Sequence, residues 1–465
     1  MGLATDNARF NSSLDFKFPG FFFQMIFDYH ALVLEPTQRV VEKRYQLLPD
    51  SIGEGAHSTV WLAKDKAGNF FVIKRLPTHM VDEVGILKQL DHPNICRLIE
   101  DFAPSKSDPH HICIALEYCA GGELFDRIAS GGLDDAQCRR ILRQLASALS
   151  YCHARGVVHG DVKPENVMCM DFHEYADTVK LIDFGLARRR GDGVKRFFTT
   201  EAYAAPEVLS GDAAVGELPA SDMWSLGVVL YVMLFGRLPG FKNGLVIPRE
   251  LPVRLETILK SLLTHNVTER MTASDLLGHP WMQESTTLHV VKVGQNDLAS
   301  LRRFATHSPL HRAIAAISAK KLNFAELNRL HDLFVKLDKD KDGCLSLDEF
   351  LGAFVSTGIS NSEVKLLFSA ADSNGSGRVE YSEFLAATFG HLKSDQEKLI
   401  RASFDYIDKT STGFISISNL SAFLDSFDLS RELGDSQIAD LKKKLEISSV
   451  EKIDFETFAE WVLAK

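Results

Sequence analysis

Between residues 45 and 75 apolar and polar positions alternate with glycines in between, a two-residue period that predicts antiparallel hairpin strands. From about Leu124 onward the apolar positions take up helical spacing, so strands come first and helices follow. Near residue 283 this pattern thins. Residues 284–326 then place Leu298, Leu301, Phe304, Leu310, Ile314 and Ile317 as an apolar stripe, which predicts a basic amphipathic helix or pair of helices. Behind it lies a repeat. Candidate loops begin at Asp338, Asp372, Asp408 and about Glu446, spaced by 34, 36 and 38 residues and each flanked by helix-like stretches.

Composition narrows the class. The 465 residues predict two to four domains, and 45% hydrophobic with 25% charged residues excludes a mostly disordered chain. The net charge of −10 is uneven: residues 327–465 hold 24 acidic against 16 basic side chains, while residues 284–326 hold six basic against three acidic. An acidic tail behind a near-neutral body argues against nucleic acid and for cations or basic partners. Seven scattered cysteines fit a reducing compartment, hence a cytoplasmic location. The apolar patch Phe18 to Phe27 is too short to span a bilayer, and Gly2 offers only a weak myristoylation signal, with Asp6 where Ser or Thr is preferred, for membrane association.

Six motifs run in one order. Ile52-Gly53-Glu54-Gly55-Ala56-His57-Ser58-Thr59-Val60 lies between strand-like runs, where glycines let backbone N–H groups approach a polyphosphate. Phe71-Val72-Ile73-Lys74 ends an apolar strand on a lysine that needs an anion, with Glu83 as the candidate partner. His159-Gly160-Asp161-Val162-Lys163-Pro164-Glu165-Asn166 follows, then Asp183-Phe184-Gly185, Ala205-Pro206-Glu207 and Ser221-Asp222-Met223-Trp224. Phosphoryl transfer needs a carboxylate near the acceptor, metal-holding Asp and Asn, and cations on the phosphates, and this set supplies each.

In these motifs the sequence resembles the protein kinase family. The resemblance implies an α+β protein kinase fold with a small β-rich N-lobe and a mostly helical C-lobe. It implies Asp161 as catalytic base, Lys163 on the transferring phosphate, Asn166 and Asp183 on Mg2+, and Lys74 with Glu83 on the nucleotide. It places ATP against Ile52, Gly53, Glu54, Gly55, Val60 and Glu123, with Leu116 as gatekeeper and Glu117 and Cys119 in the hinge, and it matches Glu123 and Glu165 to positions where basophilic kinases receive Arg or Lys. Four departures stand out. Ser58 replaces a glycine, Gly160 replaces an arginine that reads an activation-loop phosphate, only nine residues separate Lys74 from Glu83, and Gly236 to Arg270 is short. Activation through Thr199 or Thr200 is therefore not expected, and the inward swing of Glu83 is open to doubt.

Asp338-Lys339-Asp340-Lys341-Asp342-Gly343-Cys344-Leu345-Ser346-Leu347-Asp348-Glu349 fits a twelve-residue EF-hand loop, with oxygens from Asp338, Asp340, Asp342 and Ser346, the Cys344 carbonyl and a bidentate Glu349. Asp372, Asn374, Ser376, Arg378 through its carbonyl, Glu380 and Glu383 repeat it. The third loop, with Thr410, Thr412 and Asn419, and the fourth read as structural. Together with the kinase motifs and Leu301-Arg302-Arg303-Phe304 this resembles the calcium-dependent protein kinases. The resemblance implies an N-terminal extension (1–44), a kinase domain (45–282), an autoinhibitory junction helix (283–326) and an all-α calmodulin-like EF-hand domain (327–465) that binds the junction when Ca2+ arrives. The expectation is a monomeric Ca2+-activated serine/threonine kinase acting on protein substrates in basic context, with Thr306 as an autophosphorylation candidate. The alternative is a calcium-responsive scaffold, a pseudokinase that binds nucleotide with little turnover.

Overall fold

The computed structural model describes residues 41, 43–54, 58–104, 108–170, 178–189, 200–211, 218–241, 244–283, 293–320, 322, 324–389, 393–408, 412–426, 429, 438 and 452–463. Gly2, the Phe18 to Phe27 patch, Gly55, Thr199, Thr410 and the first half of the fourth loop lie outside these residues. The alternating segment forms β1 (Gln46–Glu54), β2 (Thr59–Lys64) and β3 (Phe70–Pro77), joined by β4 (Leu98–Phe102) and β5 (His111–Glu117) into one antiparallel sheet of order β1-β2-β3-β5-β4. Helix α1 (Val81–Leu87) is only seven residues long, as the short spacing to Glu83 requires.

Beyond α2 (Leu124–Ala129), the long helix α3 (Asp135–Ala154) starts at a capping box in which Asp134 and Gln137 exchange hydrogen bonds, and it buries Ile141, Leu142, Leu145 and Leu149 along one face. The short antiparallel pairs β6 (Val157–Val158) with β9 (Arg188–Arg189) and β7 (Val167–Cys169) with β8 (Val179–Leu181) carry the loops of the cleft. After α4 (Pro206–Ser210), helix α5 (Leu218–Phe235) is apolar on all sides and buried almost throughout, as befits a central pillar. Among the described residues no helix lies between Phe235 and α6 (Val253–Leu262), in agreement with the shortness of that stretch. Helices α7 (Ala273–Gly278) and α8 (Pro280–Gln283) close this lobe.

The junction is a pair of helices, the second of the two forms its apolar stripe allowed. α9 (Gln295–Ala305) stops before Ser308, which caps α10 (Pro309–Ala319); Pro309 lacks the N–H that a continuous helix would need and so begins a new one. Leu298, Leu301 and Phe304 of α9 and Ala315, Ala316 and Ala319 of α10 are buried in the core of the first EF-hand pair. Ala313, Ile314 and Ile317, on the other face of α10, enter the core of the second pair. Each large side chain so buried contributes ~1.5–3 kcal/mol. The first pair comprises α11 (Phe324–Leu337), α12 (Leu347–Phe354), α13 (Asn361–Ala371) and α14 (Tyr381–Thr388), with loop strands β10 (Cys344–Leu345) and β11 (Val379–Glu380) paired antiparallel. The second has α15 (Lys393–Ile407), α16 (Ile417–Leu424) and α17 (Phe455–Leu463), with β12 (Ile415–Ser416) paired to β13 (Lys452–Ile453). No described helix is long and apolar enough to cross a membrane.

Candidate active site and calcium loops

Strand β3 places Lys74 between Val60 of β2 and Ile114 of β5. Its Nζ donates to Glu83 Oε1 at 2.7 Å and to Asp183 Oδ1 at 2.8 Å. The short α1 therefore does bring Glu83 inward, which settles the doubt raised by the nine-residue spacing. Burial alone would lower the Lys74 pKa, but Asp183 and Glu83 raise it, so the ammonium stays charged. Burial likewise pushes the Asp183 carboxyl up, and Lys74 overrides it, leaving the group below its ordinary range. Asp183 sits at φ 61°, left-handed for a residue with a side chain, a strain typical of functional positions. Phe184 beside it is buried against the His159 ring, 4.7 Å between centroids.

The loop between β6 and β7 carries the second half of the cleft. Asp161 Oδ2 accepts from Lys163 Nζ at 2.6 Å and from Asn166 Nδ2 at 2.9 Å, while its Oδ1 accepts from the Thr200 hydroxyl at 2.9 Å. Lys163 also donates to Thr200 Oγ1 at 2.8 Å. Thr200 is thus a member of this cluster, which the sequence reading passed over by weighing it only as a phosphorylation site. The loop is held from below by buried Asp222, which accepts from the backbone N–H groups of His159 and Gly160, each at 2.9 Å, and from His153 at 2.8 Å. Gly160 has φ +79°, and a Cβ there would lie 3.1 Å from the Leu186 carbonyl oxygen, so glycine relieves strain at the position where an arginine was expected. Glu207 of α4 is locked by Arg270 through bonds of 2.6 and 3.0 Å. Asp222 lies in the sixth motif, which gave it no role, and Arg270 lacked a local signal, because each acts on backbone or on a partner distant in sequence.

Ile52 is exposed and Gly53 and Val60 half-buried at the end of the β1–β2 hairpin, with Gly53 paired to Val60; the Glu54 side chain, like Gly55, is outside the described residues. The Glu117 side chain points behind the strand to Arg97 and Lys180, so only its backbone can face the cleft. Glu123 precedes α2, and its carboxyl is raised by burial and by neighbouring Asp126 and Glu165. Cys119 is buried.

In the first calcium loop, ligand atoms of Asp338, Asp340 and Asp342 lie within 4.8 Å of one another, and the buried Asp338 Oδ1 has no hydrogen-bond partner among the described residues. Three converging carboxylates with an orphaned oxygen suit a hard divalent cation. Glu349 accepts from the Lys339 N–H at 2.7 Å and the Ser346 hydroxyl at 2.7 Å, and so already turns toward the loop. The second loop repeats the arrangement: Asp372 accepts from the Gly377 N–H at 2.9 Å, and Glu383 from Ser373 N–H at 2.9 Å and Glu380 N–H at 2.8 Å. Asn374 and Ser376 complete it, with Ser376 N–H donating to Asn374 Oδ1 at 2.9 Å. Arg378 forms an ion pair with Asp342, bridging the two loops. In the third loop Asp408 accepts from the Gly413 N–H at 2.7 Å, but Asn419 stands in place of the bidentate glutamate.

The calcium loops also touch the catalytic domain. Asp91 accepts from the Ser382 N–H at 2.9 Å and from its hydroxyl at 2.5 Å; Ser147 donates to the Lys341 carbonyl at 2.8 Å; Arg155 reaches Glu380 at 3.1 Å. Cys344 is buried within the kinase core cluster.

The protein kinase domain family model matches residues 48–282, and the EF-hand domain pair model matches residues 327–389. Calcium-dependent protein kinase 3 of Plasmodium berghei (strain Anka) is 30% identical over 91% of this chain and 81% of its own. The chain belongs to the calcium-dependent protein kinase family. Calcium-dependent protein kinases 10 and 17 of Arabidopsis thaliana are each 29% identical, over 81% and 85% of this chain and 71% and 78% of theirs. This kinase is accordingly a calcium-activated serine/threonine protein kinase that uses ATP with a divalent metal, and the scaffold alternative finds no support. Its second EF-hand pair falls outside the matched EF-hand pair region, as its depleted ligand set would lead one to expect.

Proposed function

We propose that this calcium-dependent protein kinase transfers the ATP γ-phosphoryl group to Ser or Thr of proteins in basic context, and that Ca2+ at the first EF-hand pair holds the junction helices away from the cleft. The observation that carries the reading is the joint one. Lys74 is in contact with both Glu83 and Asp183 while α9 and α10 are buried among the EF-hand helices. That is the arrangement expected of a released, working kinase.

Asp161 takes the acceptor hydroxyl proton on a carboxylate whose orientation is fixed by Asn166 and Thr200. Lys163, held beside Asp161, offers its ammonium to the transferring phosphate. Asn166 and Asp183 are oxygen ligands suited to Mg2+, which when bound neutralises phosphate charge. The backbone of 117–119 meets adenine, and Ile52, Gly53 and Val60 cover it. Glu123 and Glu165 receive substrate Arg or Lys; the buried Glu165 Oε2 has no hydrogen-bond partner among the described residues and would gain one. We divide the chain into catalytic (45–282), junction (283–326) and EF-hand (327–465) parts. Thr306, whose hydroxyl donates to the Arg303 carbonyl at 2.7 Å at the end of α9, is proposed as an autophosphorylation site when that bond opens. Seven buried free cysteines support a cytoplasmic setting.

The test is phosphate transfer to a basic Ser/Thr peptide with Ca2+ and with chelator. Wild type should need Ca2+, and Asp161→Asn should lose roughly 10²- to 10⁴-fold in turnover. Equal rates in the two proteins at saturating Ca2+ would remove Asp161 from its role; equal wild-type rates with and without Ca2+ would remove the autoinhibition.

A further inference from the structure

Arg97 lies just before β4, directly behind the segment to which the reading above assigns adenine. Its backbone N–H donates to Glu117 Oε1 at 2.7 Å, its Nε to Glu117 Oε2 at 3.1 Å, and its carbonyl accepts from the Glu117 N–H at 3.1 Å. Lys180 Nζ adds a bond of 2.7 Å to the same carboxylate. All three side chains are buried. Burial would push the Glu117 carboxyl up, but Arg97 and Lys180 hold it below its ordinary range, so the cluster is ionic. The other edge of the guanidinium faces the junction: one terminal nitrogen donates to the Ala319 carbonyl at 3.3 Å and the other to the Leu322 carbonyl at 2.9 Å. Ala319 ends α10 and Leu322 lies three residues beyond it, its N–H donating to the Ala319 carbonyl at 3.3 Å, so the guanidinium sits at the negative end of the helix dipole.

We infer that Arg97 is a positioning residue that couples the seat of the junction helix to the nucleotide pocket, so that the calcium state of the chain is read as affinity for ATP. One planar group grips the hinge segment with one edge and the end of α10 with the other, a reach that a point cation does not have. When α10 is seated, each of the three guanidinium nitrogens donates a hydrogen bond and Glu117 is fixed. When α10 leaves, two buried donors lose their acceptors, and the guanidinium must turn away from Glu117 to find new ones. The backbone of 117–119 then loses its brace. Because the link is thermodynamic it works in both directions: nucleotide favours the seated junction as the seated junction favours nucleotide.

The inference rests on the reading that 117–119 meets adenine, and the experiment separates the two. The full chain is titrated with a fluorescent ATP analogue and Mg2+, in Ca2+ and in chelator, with hydrogen exchange followed at the Cys119 amide. Wild type should bind the analogue roughly tenfold more tightly in Ca2+. Arg97→Lys keeps a charge beside Glu117 but cannot span to both carbonyls, and should cut that ratio to about twofold or less while calcorimetric Ca2+ binding at the first pair persists. Glu117→Gln, which weakens the link from the hinge side and keeps Lys180, should do the same and decides the matter should Arg97→Lys not fold. A full ratio in both variants, or no ratio in wild type, overturns the coupling. If nucleotide fails to protect the Cys119 amide, the adenine assignment falls and the coupling with it.

Discussion

The two EF-hand pairs share a fold and divide the work. In the first, Asp338, Asp340 and Asp342 converge and Glu349 and Glu383 close the loops, and the same loops press against Asp91, Ser147 and Arg155 of the catalytic domain. In the second, Asp408 is the carboxylate that remains of the third loop's ligand set, and the core grips Ala313, Ile314 and Ile317 of the junction. Both keep the short antiparallel bridge between loops. The comparison teaches that the bridge and the apolar core are enough to hold the repeat together, so ligand oxygens can be lost where only a grip on α10 is needed. They are retained where the loop must also change with calcium while in contact with the kinase.

The largest expected effect tests the ligand half of that contrast. Glu349→Gln combined with Glu383→Gln removes both bidentate carboxylates and should raise the Ca2+ concentration for half activation by about two orders of magnitude. The matched change in the second pair, Asn419→Gln, should move that midpoint less than about twofold, because Asn419 serves as a cap to the Ser416 N–H rather than as a strong ligand. A calcium titration of peptide phosphorylation reads both. A normal midpoint in the double variant would show that the depleted loops are the sensors after all.

A second pair of substitutions tests the docking half, and the chain provides its own control. Gly343 and Gly413 occupy the same loop position with φ +83° in each. A Cβ on Gly413 would meet nothing within 4 Å, whereas on Gly343 it would overlap the His92 ring and come within 2.9 Å of Tyr151. Gly413→Ala should therefore cost only the left-handed backbone, about 1 kcal/mol. Gly343→Ala should cost that plus about 1–3 kcal/mol of overpacking against the catalytic domain. Thermal unfolding at saturating Ca2+, the state in which loop and kinase are in contact, measures the difference, and equal losses would show that loop and kinase do not press on each other.

Much of this was legible before the fold was known, and what was not has a common cause. The cleft residues were readable because phosphoryl transfer demands fixed residue types at short spacing, so Lys74, Asp161, Asn166 and Asp183 announce themselves. The two-residue and helical periods likewise located the sheet, the pillar helix and the EF-hand repeats. Three features stayed hidden. The hold of Asp222 on the 159–160 backbone, like that of Arg270 on Glu207, spans a long stretch of chain; Glu117 turned out to face the back of its strand, since a strand residue's side depends on register; and which EF-hand core each face of the junction helices enters depends on the fold. The contact between calcium loops and catalytic domain was also beyond reach, because Asp91, His92, Ser147 and Tyr151 read as ordinary helix and turn residues until another domain covers them.

That covered surface carries the smallest expected effect, and it again divides the pairs. His331 of α11 is fully buried beside Lys180, Glu117 and Arg97, and burial first, then Lys180, lowers its pKa to about 3. His92, on the kinase side, is lowered well below its ordinary value by burial and by Lys180 and Arg155. A histidine kept neutral in the folded state binds fewer protons there than when unfolded. Its contribution is therefore whole above about pH 6.5 and is lost as pH falls toward the folded value. For His331 the loss between pH 7.5 and 5.5 comes to about 1.4 kcal/mol. The second pair has a single histidine, His391, outside the described residues, so acid should loosen the first pair from the kinase while sparing the second pair's grip on α10. His331→Asn, which can still bond Tyr381, should flatten the pH dependence of thermal unfolding by that amount. A slope as steep as wild type would take His331 out of the interface and leave the acid response to His92 alone.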